Sequence, residues 1–139
     1  MTLYDKIYER FLQKVTDYKM LTLPEDDMYD MWHGWLKSAV AKQKVFIHSL
    51  EMDDVGMCFP ADLDNIEIEV LAVGMAVEWL EPQVKSVNNT MQLFSNSEQK
   101  FYSQANHLTE IRAMLKALKN ERKKLVRDYQ YNVFAQTGA

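Results

Sequence analysis

Three histidines (His33, His48 and His107), one cysteine (Cys58) and twenty acids are the side chains here that could do chemistry. A zinc or di-metal centre draws several such ligands together at short spacing. No histidine has a second His or a Cys at ligand spacing. Glu25, Asp26, Asp27 and Asp30 precede His33 and would make a carboxylate–imidazole set, but acids in a first helical turn follow from the helix dipole alone. Cys58 lies ten residues from His48 with no nucleophile motif around it, and it reads as a small buried hydrophobe. No Gly-rich phosphate loop, Rossmann fingerprint or G-x-S-x-G elbow occurs. The carboxylates are scattered, with nothing to set one as acid and another as base. The expectation is a non-enzyme with no metal and no cofactor.

Charge is distributed unevenly. Between Val45 and Val84 there is no Lys or Arg but nine acids, Glu67 and Glu69 among them. From Arg112 to Arg127 seven cations face one acid, Glu121. Arg112, Lys116, Lys119, Lys123 and Arg127 recur at helical spacing as one stripe. A solvated helix face is the plain reading. The sharper one is a subunit interface, the stripe on one side and Glu67 and Glu69 on the other. The net charge of −4 and the acidic middle favour a protein partner over nucleic acid.

These residues need elements to position them. Val70–Leu80 is apolar on nearly every face, with Glu78 its one charge, which predicts a buried central helix. The run is too short to span a membrane. Asp64 and Glu67 have capping-box spacing at its start. Gly74 invites close approach of another helix, and Pro82 predicts a kink or an end near Glu81. A first helix runs from Thr2, as N-cap, to Val15, with Leu3, Ile7 and Phe11 at its centre. A second begins at Thr22, paired with Glu25 as a capping box, and buries Met28, Met31, Trp32, Trp35, Leu36, Ala39 and Val40. His48 to Leu63 reads as an exposed loop with a short strand or turn, and Met52, Met57 and Phe59 in it are candidate partner contacts. Ser95–Ser97 is a break, and 98–106 a connecting segment in which Phe101 and Tyr102 look exposed. The last helix, from about Gln104 to Tyr129, carries an a/d seam through Leu108, Ile111, Leu115, Leu118 and Leu125. Met114 also falls on a helical face and reads as core. Tyr129, Tyr131, Val133 and Phe134 then alternate in the strand manner, a candidate docking tail.

The expected fold is all-α: a compact bundle of four to five helices around a buried central helix, with an extended C-terminal tail. Residues 1–128 form a single helical domain and 129–139 the tail. The start lacks a secretory layout, so a cytoplasmic origin is expected, and a lone cysteine excludes an internal disulfide.

Two strings carry a resemblance: LAVGMAVEWLEPQV and KFYSQANHLTEIRAMLKALKNERKKLVRDY. The first holds a Gly–Met and a Trp–Leu–x–Pro step in an apolar helix. The second has Phe/Tyr–Ser–x–Ala–Asn–His–Leu opening a long basic helix. This pattern, from Leu71 to Tyr129, resembles the head–tail connector (adaptor or neck) proteins of tailed bacteriophages. The acidic 49–63 loop departs from it. The resemblance implies a helical bundle that assembles as a homo-oligomeric ring, typically a dodecamer. Such a ring docks on the portal protein and extends the DNA channel towards a downstream neck or tail protein. It implies a virion protein made in the host cytoplasm, with DNA passing through without sequence-specific binding and no membrane. A heterologous ring contact needs two unlike surfaces, which an acidic middle and a basic helix would supply. A small helical nucleic-acid-binding regulator using the basic stripe, and a dimeric helical interaction protein using the Leu108–Leu125 seam, remain alternatives.

Overall fold

The central helix forms where its apolar run places it. A computed structural model of the chain describes residues 1–15, 22–43, 46–93 and 98–137, the side chains of 89–93, 98–104 and 136–137 excepted. The expected connector after residue 15 (in part), the break at Ser95–Ser97 and the side chains of Phe101 and Tyr102 lie outside the described residues. The elements in order are β1 (Thr2–Leu3), α1 (Tyr4–Leu12), α2 (Glu25–Lys42), β2 (Cys58–Phe59), α3 (Asn65–Leu93) and α4 (Glu98–Thr137). α1, α2 and α4 all pack on α3, so the fold is an all-α bundle with a two-strand ribbon at its side.

α3 opens on the expected cap. Glu67 Oε1 accepts the Asp64 N–H at 2.8 Å, and the Asp64 carbonyl takes the first helical bond from Ile68. From Val70 to Leu80 only Glu78 escapes full burial. Pro82 does not end the helix. The Gln83 side-chain amide donates to the Trp79 carbonyl at 3.2 Å, in the turn that the proline interrupts. Gly74 meets α2: a Cβ there would lie 3.0 Å from that of Ala39. The missing side chain lets the two helices approach.

α4 runs antiparallel to α3. Tyr129 lies at Glu67, Lys119 at Glu81 and Arg112 at Asn88. Leu108, Ile111 and Leu118 are buried, with Leu115 and Leu125 packed beside them. The a/d seam is therefore used inside the chain. At 40 residues α4 is about 60 Å long.

Several local expectations are corrected. α4 begins at Glu98, so 98–106 is helix and not a connector, and it continues to Thr137, so 129–137 is helical and not an extended tail. The seam simply runs on: Tyr129 is buried and Val133, four residues later, is half-buried. The N-cap position of α2 is Pro24, not Thr22, and that of α1 is Leu3, not Thr2, and neither side chain makes a capping bond. Thr2 instead ties β1 to the loop: its hydroxyl donates to the Ala61 carbonyl and accepts the Leu63 N–H. Leu3, Met31 and Met114 are exposed and leave the predicted core.

The 49–63 loop is a packed hairpin. Asp53 and Cys58 exchange two backbone bonds around the turn 54–57, and Cys58–Phe59 pairs antiparallel with Thr2–Leu3. Met57 sits at φ 53°, a left-handed turn position unusual for a side chain of its size.

Candidate functional site

Three groups of polar side chains stand out, the first two assembled by tertiary structure and the third by the period of one helix. The first surrounds Glu67, whose side chain is fully buried. A buried carboxylate costs several kcal/mol unless donors surround it. Here three do. Oε1 takes the Asp64 N–H at 2.8 Å and lies 2.6 Å from His48 Nδ1; Oε2 takes the Tyr129 hydroxyl at 3.1 Å. The Tyr129 oxygen in turn accepts the Ile47 N–H at 2.6 Å. One carboxylate thus ties the 46–48 segment, the start of α3 and the far end of α4.

The hydrogen bond to Glu67 pushes the His48 pKa up, against a smaller opposing effect of burial. Burial raises that of the Tyr129 phenol, and the Ile47 N–H opposes this. Single ligand atoms of His48, Asp64 and Glu67 lie within 4.8 Å of one another, a donor set that a divalent cation accepts. Both oxygens of Glu67 already accept hydrogen bonds, however, and the geometry is that of a hydrogen-bonded tie.

The second group closes the hairpin onto α1 and α2. Asp54 Oδ1 accepts the Tyr4 hydroxyl at 2.8 Å and lies 2.9 Å from His33 Nε2; its Oδ2 lies 3.3 Å from Lys37 Nζ. These bonds, His33 first, hold the Asp54 carboxyl down to about 2. The partner of His33 is thus Asp54 in the hairpin, not the acids that precede it on α2.

The third group is the basic face of α4. Lys119 pairs with Glu81 at 3.1 Å, and Arg112 reaches the Asn88 side chain at 3.4 Å. Lys116, Lys123 and Arg127 are exposed and pair with no acid among the described residues. Arg112, Leu115, Lys116, Lys119 and Lys123 line an open depression on this face. The stripe therefore lies together on the surface, as its spacing predicted. The acids assigned to meet it do not. Glu67 is buried in the tie, and Glu69 is engaged by Arg10 at 2.9 Å and by Lys14.

The candidate docking residues also divide. Tyr131 and Phe134 are exposed, three positions apart on α4, and Met57 is exposed on the hairpin. Tyr129 and Phe59 are core, while Val133 and Met52 are half-buried. Sequence reasoning missed His48, Asp54 and the role of Tyr129. The one local signal was the capping-box spacing, which already turned Glu67 inward.

Compared with family models, with curated proteins and with solved structures, the chain matches none of them.

Proposed function

We propose that the chain is a head–tail connector subunit of a tailed bacteriophage: a structural neck protein. It assembles as a homo-oligomeric ring, dodecameric in the resemblance, under the portal protein. It extends the DNA channel towards the next neck or tail protein, and DNA passes without sequence-specific binding. It is a virion component made in the host cytoplasm, with no enzymatic role. The carrying observation is a basic face, Lys116, Lys123 and Arg127 on α4, exposed and without an acid partner among the described residues, on a chain of net charge −4. Such a face is complementary to an acidic surface, and a further copy of an acidic chain carries one. In support, the two strings of the resemblance fall on α3 and α4, the antiparallel pair at the centre of the fold. Tyr131, Phe134 and Met57 are exposed contacts for the ring's neighbours. No helix among the described residues is long and apolar enough to cross a membrane.

The same basic face favours one other reading, a nucleic-acid-binding regulator. The Leu108–Leu125 seam, which a dimer reading would use, packs into the core of its own chain. Two binding measurements separate the first two. A connector co-sediments with portal rings and binds random duplex weakly. A regulator binds random duplex tightly, with an affinity that falls steeply as salt rises, and ignores the portal.

A further inference from the structure

We infer that the acidic tip of α2 in one copy docks on the basic face of α4 in the next. This rests on the ring reading and names its contact. The nine acids of 45–84 are largely engaged within the chain. Glu67 is buried, and Glu69, Glu78 and Glu81 pair with Lys14, Lys42 and Lys119. Asp54 holds Tyr4, His33 and Lys37, and Asp53 accepts the N–H groups of Val55 and Gly56. The densest acids left are Glu25, Asp26, Asp27 and Asp30, all exposed and forming no ion pair among the described residues.

Apolar surface accompanies both charge sets. Leu23 and Met31 are exposed beside the acids, and Met114 is exposed beside the cations, with Leu115 in the depression they line. The tip does not pair with the stripe of its own chain. α2 ends at Lys42, whose Glu78 partner is one turn of α3 from the Glu81–Lys119 pair. Eighteen residues at 1.5 Å rise put the tip about 25 Å along α2 from Lys42, and none of its four acids pairs with a stripe cation among the described residues. Two unlike surfaces, set apart on one chain, give a heterologous contact, which closes into a ring when the rotation allows. Exposed ion pairs contribute little singly, so the set acts together and weakens with salt.

The test is charge reversal with mixing. Lys116→Glu/Lys123→Glu cancels most of the positive charge of the stripe, and Asp26→Lys/Asp27→Lys cancels the negative charge of the tip, while the lysines introduced in one variant complement the glutamates introduced in the other. All four positions are exposed, and circular dichroism checks that each variant keeps its helices. Light scattering after size exclusion at low salt reads the assembly. The native chain is expected to form a ring, each variant alone to stay monomeric, and the equimolar mixture to assemble again. Ring formation by either variant alone overturns this pairing and leaves the ring reading intact. A native chain that stays monomeric at every concentration, alone and with portal rings, overturns the ring reading and the pairing with it.

Discussion

Tyr129 donates its hydroxyl to Oε2 of Glu67 at 3.1 Å, across 62 positions of sequence, with both side chains buried. The bond joins the end of α4 to the first turn of α3. It makes the residue that opens the last segment a member of the core.

Tyr129→Phe keeps the ring, which packs edge-on to Phe46 at 5.2 Å between centroids. It removes one donor to Glu67 and one acceptor from the Ile47 N–H. A buried group left short of a partner costs about 1–3 kcal/mol. Urea denaturation should show a loss of that size, whereas Tyr131→Ala, at an exposed position, should change stability by about 0.5 kcal/mol or less. Truncation after Asp128 should lower the melting temperature. Unchanged melting of the truncated chain would return Tyr129 to a docking role.

His48 makes the same tie sensitive to pH. Its folded-state pKa is raised by Glu67. The stabilisation is therefore fully present below the unfolded value near 6.5 and is lost as pH rises through the folded value, which lies higher. Urea midpoints of the native chain should fall as pH rises above the unfolded value near 6.5, and His48→Gln should flatten that fall. Equal slopes in the two proteins would remove His48 from the tie.

The α2–α3 contact at Gly74 is tighter than an ordinary side-chain contact. Ala39 Cβ is 3.0 Å from where a Cβ would stand, so Gly74→Val must push the helices apart, at about 1–3 kcal/mol for overpacking. Trp79→Ala, in the same helix, should cost about 3–5 kcal/mol. Thermal melts of the two variants check both, and native-like melting of Trp79→Ala would take α3 out of the centre of the core.

What the sequence made legible was what local chemistry decides. Val70–Leu80 announces a buried helix because it has no polar face. Asp64 and Glu67 announce its start because capping acts over three residues, and the α4 stripe follows from helical period alone. The rest depends on partners far away in the chain. Glu67 read as a surface acid because His48 and Tyr129 lie 19 and 62 positions from it. His33 was weighed against the acids beside it, while its partner, Asp54, comes 21 positions later. The segment Tyr129–Phe134 alternates with period two, but Tyr129 and Val133 also stand four apart, and so short a run fits strand and helix equally. Packing on α3 selects the helix.

The His48–Asp64–Glu67 donor set separates a hydrogen-bonded tie from a metal site. Chelator should leave the melting temperature unchanged, because three protein donors already satisfy Glu67. A large drop that added divalent metal reverses would make the cluster a cation site.

The proposed function requires a ring of this chain at the phage neck. Electron-microscopy class averages of the protein assembled with its natural partners test it most directly. The connector proposal requires a closed ring of copies seated on the portal with a continuous central channel. Isolated two-fold dimers, or single copies bound along DNA with no ring, would contradict it.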